Sequence, residues 1–175
     1  MGVVKATVKR DHVIGDETFA VVVETEHDGG VIARTAVHRQ GFDRRIGGAR
    51  TVQQGAESEV GHLSSAMTVK CAAAHLPADG EKSLVVMGGP LPDHDTRVRL
   101  LAEHLTEVKS ADAGVIFGPD MNNGESVLDG LARTPGLLDH APGLSDAEGG
   151  ISIDTHGGTA GGLDEGAAVA AELTD

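Results

Sequence analysis

Aromatic residues are nearly absent: the chain has no Trp, no Tyr and three Phe among its 175 residues. That leaves no platform on which the bases of a single strand could stack. Basic residues are scarce too, with 14 Lys and Arg against 27 Asp and Glu, a formal net charge of −13. No basic stripe is present to neutralise phosphates, which argues against nucleic acid as a partner. Cysteine occurs once, as Cys71, so an intrachain disulfide and a cysteine-based zinc cluster are both excluded. No apolar run approaches the ~18–20 residues that span a bilayer. The start, Met1-Gly2-Val3-Val4-Lys5, has no signal-peptide apolar region. A soluble, cytoplasmic protein without a membrane partner is expected. The acidic balance fits either a salt-rich cytoplasm, where self-repulsion is screened, or a GC-rich genome.

The length suits one compact α/β domain. Residues 18–26 are β-branched and apolar and predict a strand. Asp28-Gly29-Gly30 marks a turn, and the alternating residues 31–38 pair back as a hairpin. Residues 46–52 form a third strand carrying a glycine pair, a sign of close backbone approach. Residues 56–76 are the strongest helix, with Val60, Leu63, Met67, Cys71 and Ala74 as its apolar stripe and Pro77 and Gly80 ending it. A buried strand over 83–87 follows, then a helix over 96–109 capped by Asp95-Thr96 with Val98, Leu101, Leu105 and Val108 on one face. A strand over 114–117 and a short helix over 124–133 complete the alternation. Residues 135–162 are rich in Pro and Gly and predict an extended loop or linker, followed by a last helix over 164–173. The order points to a mixed-sheet, layered α/β domain over 1–134, with 135–175 as a linker and terminal helix.

Read alone, the candidate functional residues have plain structural roles. Lys70 is a solvated helix lysine, Lys82 an exposed lysine after the Asp79-Gly80-Glu81 turn, and Asp120 a cap for the helix after Pro119. Asp93-His94-Asp95 reads as a capped turn rather than a metal site, and no His-x-x-x-His pair occurs. His38 ends a strand, where a structural hydrogen bond is expected. Cys71 is a small core residue with no base in sight, and Ser64 and Ser65 lack a nucleophile elbow.

Beside this stands a resemblance. Gly47-Gly48-x-Arg50, then Met67-Thr68-x-Lys70-x-Ala72 with Leu76, then Lys82 twelve residues after Lys70, then Asp120 in GVIFGPDMNN resemble the N-terminal domain of the glutamate/leucine/phenylalanine/valine dehydrogenases. The resemblance runs from about residue 18 to the C-terminus, and its specific part is 66–86. It implies a three-layer mixed-sheet domain that binds the amino acid and builds the subunit interface. It implies Lys70 on the substrate α-carboxylate, Lys82 as the catalytic lysine and Asp120 as the proton relay. Gly47 and Gly48 would let substrate lie against the backbone, and Met67 would line the side-chain pocket. Asp79 and Glu81 depart from the glycines the family has around that turn. Ile46 stands where the glutamate-specific branch has a lysine, as in the leucine/valine branch, and Arg44 and Arg45 nearby could attract a carboxylate. NAD(P) in this family binds a second, Rossmann domain. The clusters Gly157-Gly158 and Gly161-Gly162 follow no strand and make no nucleotide loop, so no cofactor is assigned to this chain. The expected partners are a second copy of the chain, a separately encoded Rossmann domain, and an amino acid or 2-oxo acid. Alternatives are a non-catalytic amino-acid binding module that has lost hydride transfer, and a purely structural interaction domain.

Overall fold

A computed structural model of the chain describes residues 3–153, 155–157, 161–162, 164–165 and 167–168. Six strands form one mixed sheet in the order β1-β2-β3-β5-β4-β6. They are β1 (Val3–Ile14), β2 (Glu17–His27), β3 (Val31–Val37), β4 (Arg45–Val52), β5 (Asp79–Val86) and β6 (Val115–Gly118). β1, β2, β3 and β5 pair antiparallel, whereas β5, β4 and β6 pair parallel. β5 therefore joins two halves of different kind. Helix α1 (Glu57–Ala73) covers one face, and α2 (His94–Ala111) and α3 (Glu125–Ala132) cover the other. This is the expected three-layer arrangement.

Strand alternation divides the core in two. Val21, Val23, Ala33, Val37 and Val85 face α2 and α3, where they meet Leu101, Leu105, Phe117, Leu128 and Leu131. Phe19, Val22, Ala36 and Leu84 face α1 and meet Val60. The segment after residue 134 contributes to the first core through buried Leu137 and Ala141. His140 Nδ1 reaches Val115 O at 2.8 Å, and Asp129 accepts from both the backbone and the hydroxyl of Ser145.

Four expectations need correction. The first strand of the sheet, β1, was not anticipated. Its residues carry β-branched side chains, but its inner face is only half-buried because it lies at the sheet edge. Secondly, only Val60 and Cys71 of the expected apolar stripe belong to the contact face of α1. Val60, Gly61, Ser64 and Cys71 are buried, Leu63 and Met67 are half-buried, and Ala74 is exposed at the C-cap. Small residues take the contact because α1 lies almost on β5: a Cβ on Gly80 would sit 2.2 Å from Ser64 O and 2.3 Å from Thr68 N. Thirdly, Asp79-Gly80-Glu81 is not a turn before an exposed lysine but the start of β5, and Lys82 is only 7% exposed. Asp79 is held there by accepting from the backbone N–H groups of Gly41 and Phe42, and Gly80 N–H donates to Thr68 Oγ1 at 2.8 Å. Fourthly, α2 begins earlier than expected and its cap is Asp93, whose Oδ1 accepts from Thr96 N at 2.8 Å. Most of the helix expected over 164–173, and Gly158 of the glycine cluster, lie outside the described residues.

Among the described residues no helix is long and apolar enough to cross a membrane.

Candidate functional site

The positions of Gly47, Gly48, Met67, Lys70, Lys82 and Asp120 are far apart in sequence, yet all six line one cleft of about 340 Å³. Its floor is the middle of β4 and β5. One wall is α1, and the other is the end of β6 with Pro119 and Asp120. Ile46, Leu63, Ala66, Met67 and Pro119 make an apolar side, and Arg50, Lys70, Lys82 and Asp120 a polar one.

The two glycines are dictated by close approach. A Cβ on Gly47 would lie 1.9 Å from Glu81 O, and one on Gly48 would lie 3.0 Å from both the Asp120 side chain and Pro119 O. Lys82 reaches into the cleft because even-numbered positions of β5 point toward α1. There it forms an ion pair with Asp120. Asp120 also accepts from Arg50, with Nη2–Oδ1 at 3.3 Å, and Arg50 pairs in turn with Glu59 at 3.2 Å. Burial pushes the Asp120 carboxyl up. The hydrogen bond and charge of Lys82, the Met121 N–H and the Arg50 charge outweigh it, so Asp120 sits below the usual carboxylate range. Lys70 differs from the other cations: among the described residues it forms no ion pair. Three cations and one anion give the lining a formal charge of +2, in a chain of −13.

Several other candidates fall outside the cleft. Arg45 is tied to Asp112 at 3.0 Å and does not line it, and neither does Arg44. His38 Nδ1 lies 2.9 Å from Thr68 Oγ1 and its ring stands 5.6 Å from Phe19, the structural bond expected. Burial, then the charge of Arg39, lowers its pKa against the opposing pull of Glu17 and Asp79. Cys71 is buried, and desolvation followed by the charge of Asp79 pushes its thiol up, away from thiolate chemistry. His94 bonds Asp95 and Ser126 O. Among the described residues no group of three His, Cys, Asp or Glu could hold a metal ion.

Two contributors escaped sequence reasoning. Arg50 was visible only as a motif letter, although it lies two residues from Gly48 on the same strand face. Glu81 is fully buried on the opposite face of β5, beside Gly47. No local signal marks it as a core residue.

The last strand among the described residues is β6, and the glycines after 149 follow a short 3-10 turn rather than a strand. The strand, glycine turn and helix that cradle a dinucleotide are not built here, so the described residues do not fit that cofactor.

A mixed sheet flanked by one helix on one side and two on the other is a fold shared with solved amino-acid dehydrogenases. Glutamate dehydrogenase from Peptoniphilus asaccharolyticus matches with a TM-score of 0.58 at 19% identity, over 85% of this chain and 38% of that one. The hetero-hexameric glutamate dehydrogenase from Thermus thermophilus, in its Leu-bound form, matches at 0.52 and 20%, over 81% and 33%. L-tryptophan dehydrogenase from Nostoc punctiforme matches at 0.53 and 22%, over 64% and 34%. The chain thus spans about a third of the length of each of these enzymes, and the likeness establishes the fold. Residues 16–134 match the family described as Glu/Leu/Phe/Val dehydrogenase, dimerisation domain, and the chain belongs to that family.

Proposed function

We propose that the cleft binds a small L-amino acid and its 2-oxo acid, as the substrate-binding part of an NAD(P)-linked oxidative deamination. The observation that carries this reading is the cationic lining, with Lys70 unpaired among the described residues, in an otherwise acidic chain. Such a lysine meets a carboxylate without first breaking an internal ion pair. In this reading Lys70 holds the α-carboxylate, Lys82 acts through water, and Asp120 relays protons. Gly47 and Gly48 form the floor, and Met67 with Ile46 and Leu63 faces the substrate side chain, which favours an aliphatic one. The nicotinamide, when bound to a separate Rossmann domain, supplies the hydride acceptor. Residues 1–134 form the binding and dimerisation unit, residues 135–175 the crossing segment, and the cytoplasm is the compartment.

Calorimetric titration with leucine, valine, phenylalanine, glutamate and their 2-oxo acids tests this. Saturable binding is expected, weakened at least ~30-fold in Lys70→Ala, which corresponds to about 2 kcal/mol for a lost charge-assisted bond. Binding that is unchanged in the variant would remove Lys70 from the site. Asp79 and Glu81, standing where the resemblance has glycines, favour a second reading, a non-catalytic binding module. Binding without turnover when a family Rossmann domain is supplied would select it.

A homo-oligomer is part of the proposal. β1 has one partner strand, and Val4 and Val8 on it are exposed, Val8 by 47%. An unpaired edge with apolar side chains invites a second copy. Sedimentation should show at least a dimer, and Thr7→Pro, at a position whose N–H points away from β2 and whose loss removes an edge donor, should shift it toward monomer.

A further inference from the structure

Six hydrogen-bond contacts in a row cross the buried face of the sheet. Glu81 Oε2 lies 3.1 Å from Ser83 Oγ, and Ser83 Oγ lies 2.6 Å from Thr35 Oγ1. Thr35 Oγ1 is 2.8 Å from His104 Nε2, and His104 Nδ1 is 2.8 Å from Thr25 Oγ1. Thr25 Oγ1 is 2.9 Å from His27 Nε2, and His27 Nδ1 is 3.1 Å from Glu103 Oε2. Glu81, Ser83, Thr35, His104 and Thr25 are each 0% exposed. Only Glu103 reaches water, and it also pairs with Arg99 at 3.2 Å. Packing alone does not call for such a chain, since apolar residues of similar volume usually do as well in a core.

We propose that these seven residues form a proton relay between Glu81, beneath the cleft floor, and Glu103 on the outer surface of α2. Every intermediate group both gives and accepts a proton: three hydroxyls and two neutral imidazoles. In the proposed resting orientation all six bonds are satisfied, and the reversed orientation satisfies them equally. A protonated Glu81 donates to Ser83, Ser83 to Thr35, Thr35 to His104 Nε2, His104 Nδ1–H to Thr25, Thr25 to His27 Nε2, and His27 Nδ1–H to the Glu103 carboxylate.

In the transfer, the Glu81 O–H bond breaks and Ser83 takes the proton while passing its own to Thr35. Thr35 passes its own to His104 Nε2, and the Nδ1 proton of His104 leaves for Thr25. The Thr25 proton goes to His27 Nε2, and the Nδ1 proton of His27 is taken by Glu103. Each of the five intermediates gains one proton and loses one, no electrons change hands, and one negative charge moves from Glu103 to Glu81.

The charges around the chain agree with this resting orientation. Burial pushes the Glu81 carboxyl up; the Lys82 charge and the Ser83 contact oppose that, and the Asp120 charge reinforces it. Among the described residues Glu81 Oε1 has no hydrogen-bond partner, which a neutral carboxyl tolerates far better than an ionised one. Burial pushes His104 down to about 3, so its ring stays neutral. Because Glu81 responds to Lys82 and Asp120, a gain of positive charge in the cleft draws the proton outward and leaves a compensating carboxylate below. That use rests on the function proposed above; the relay itself does not.

The test uses the ligand-free, isotope-labelled chain, so failure of amino-acid binding leaves it unaffected. Ring ¹⁵N resonances should show both His27 and His104 neutral with the proton on Nδ1. Nδ1–H at one ring with Nε2–H at the other would break the row at Thr25 and overturn the relay. In D₂O the buried His104 ring proton should exchange through the chain. It should slow at least ~10-fold in Thr25→Val, whereas a variant that merely loosened the fold would exchange faster. Glu103→Gln, at the surface, keeps the hydrogen bond but takes no proton and should slow exchange as well. Unchanged or faster exchange in either variant would refute the proposal.

Discussion

Gly80→Ala should destabilise the domain by at least ~3 kcal/mol, the upper range for overpacking in a core. The added methyl has nowhere to go, since its neighbours at 2.2 and 2.3 Å are backbone atoms of α1 and not flexible side-chain ends. Relief requires α1 to lift from β5. That would also break Gly80 N–H to Thr68 Oγ1 and Ser64 Oγ to Gly80 O. For a chain of this size the melting temperature should fall by ~6–12 °C. Gly89→Ala is the control, because a Cβ there meets nothing within 4 Å. Thermal unfolding of both variants settles the matter; equal melting temperatures would mean that α1 does not rest on the β5 backbone. Since α1 carries Met67 and Lys70, a variant that survives folding should also bind ligand poorly.

Asp120→Asn should produce the second large effect, one that depends on pH. The variant leaves Lys82, a buried lysine, without its carboxylate. Removing one partner of a fully buried pair costs ~3–5 kcal/mol, and because this pair faces an open cleft about 2 kcal/mol is expected near neutral pH. The Asp120 carboxyl lies below its ordinary value in the folded chain. Its contribution is therefore fully present above the unfolded value of about 3.9 and is lost as pH falls through the lower folded value. Urea unfolding between pH 7 and the acid limb should show the gap between wild type and variant narrowing only below about pH 4. A gap that stays constant down to the acid transition would show that the ion pair contributes nothing.

Legibility in the sequence followed the physics of each element. β2 and β3 declared themselves because Val21, Val22 and Val23 are buried on both sides of the sheet, which demands an apolar, β-branched run. β1 did not, because its inner face is only half-buried and carries Thr7, Lys9 and His12 along its middle rather than apolar residues. In α1 the apolar residues were visible, but their destination was not. Leu63 and Met67 turn to the cleft, while Gly61 and Ser64 make the contact with the sheet. That choice depends on the thickness of β5 at Gly80, a tertiary fact. The cleft residues were reached through the family resemblance, not through their local pattern. Arg50, Glu81 and the His104 chain were not, since a relay of Thr, Ser and His from β2, β3, β5 and α2 exists only once the register Thr35↔Ser83 is set.

β5 is the seam between the antiparallel and parallel halves of the sheet, and this has a consequence for the order of assembly. The hairpins β1-β2 and β2-β3 close over short loops and can form early. β5 must instead find β3 across more than forty intervening residues, and it finds β4 only after α1 has crossed over. Lys82 and Glu81 ride on this late strand, so the cleft and the relay appear only with the completed sheet. A ligand of this cleft would then select the finished chain over every partly folded one. It would raise the population of finished chains by mass action during synthesis, coupling the supply of the small molecule to the amount of protein that survives.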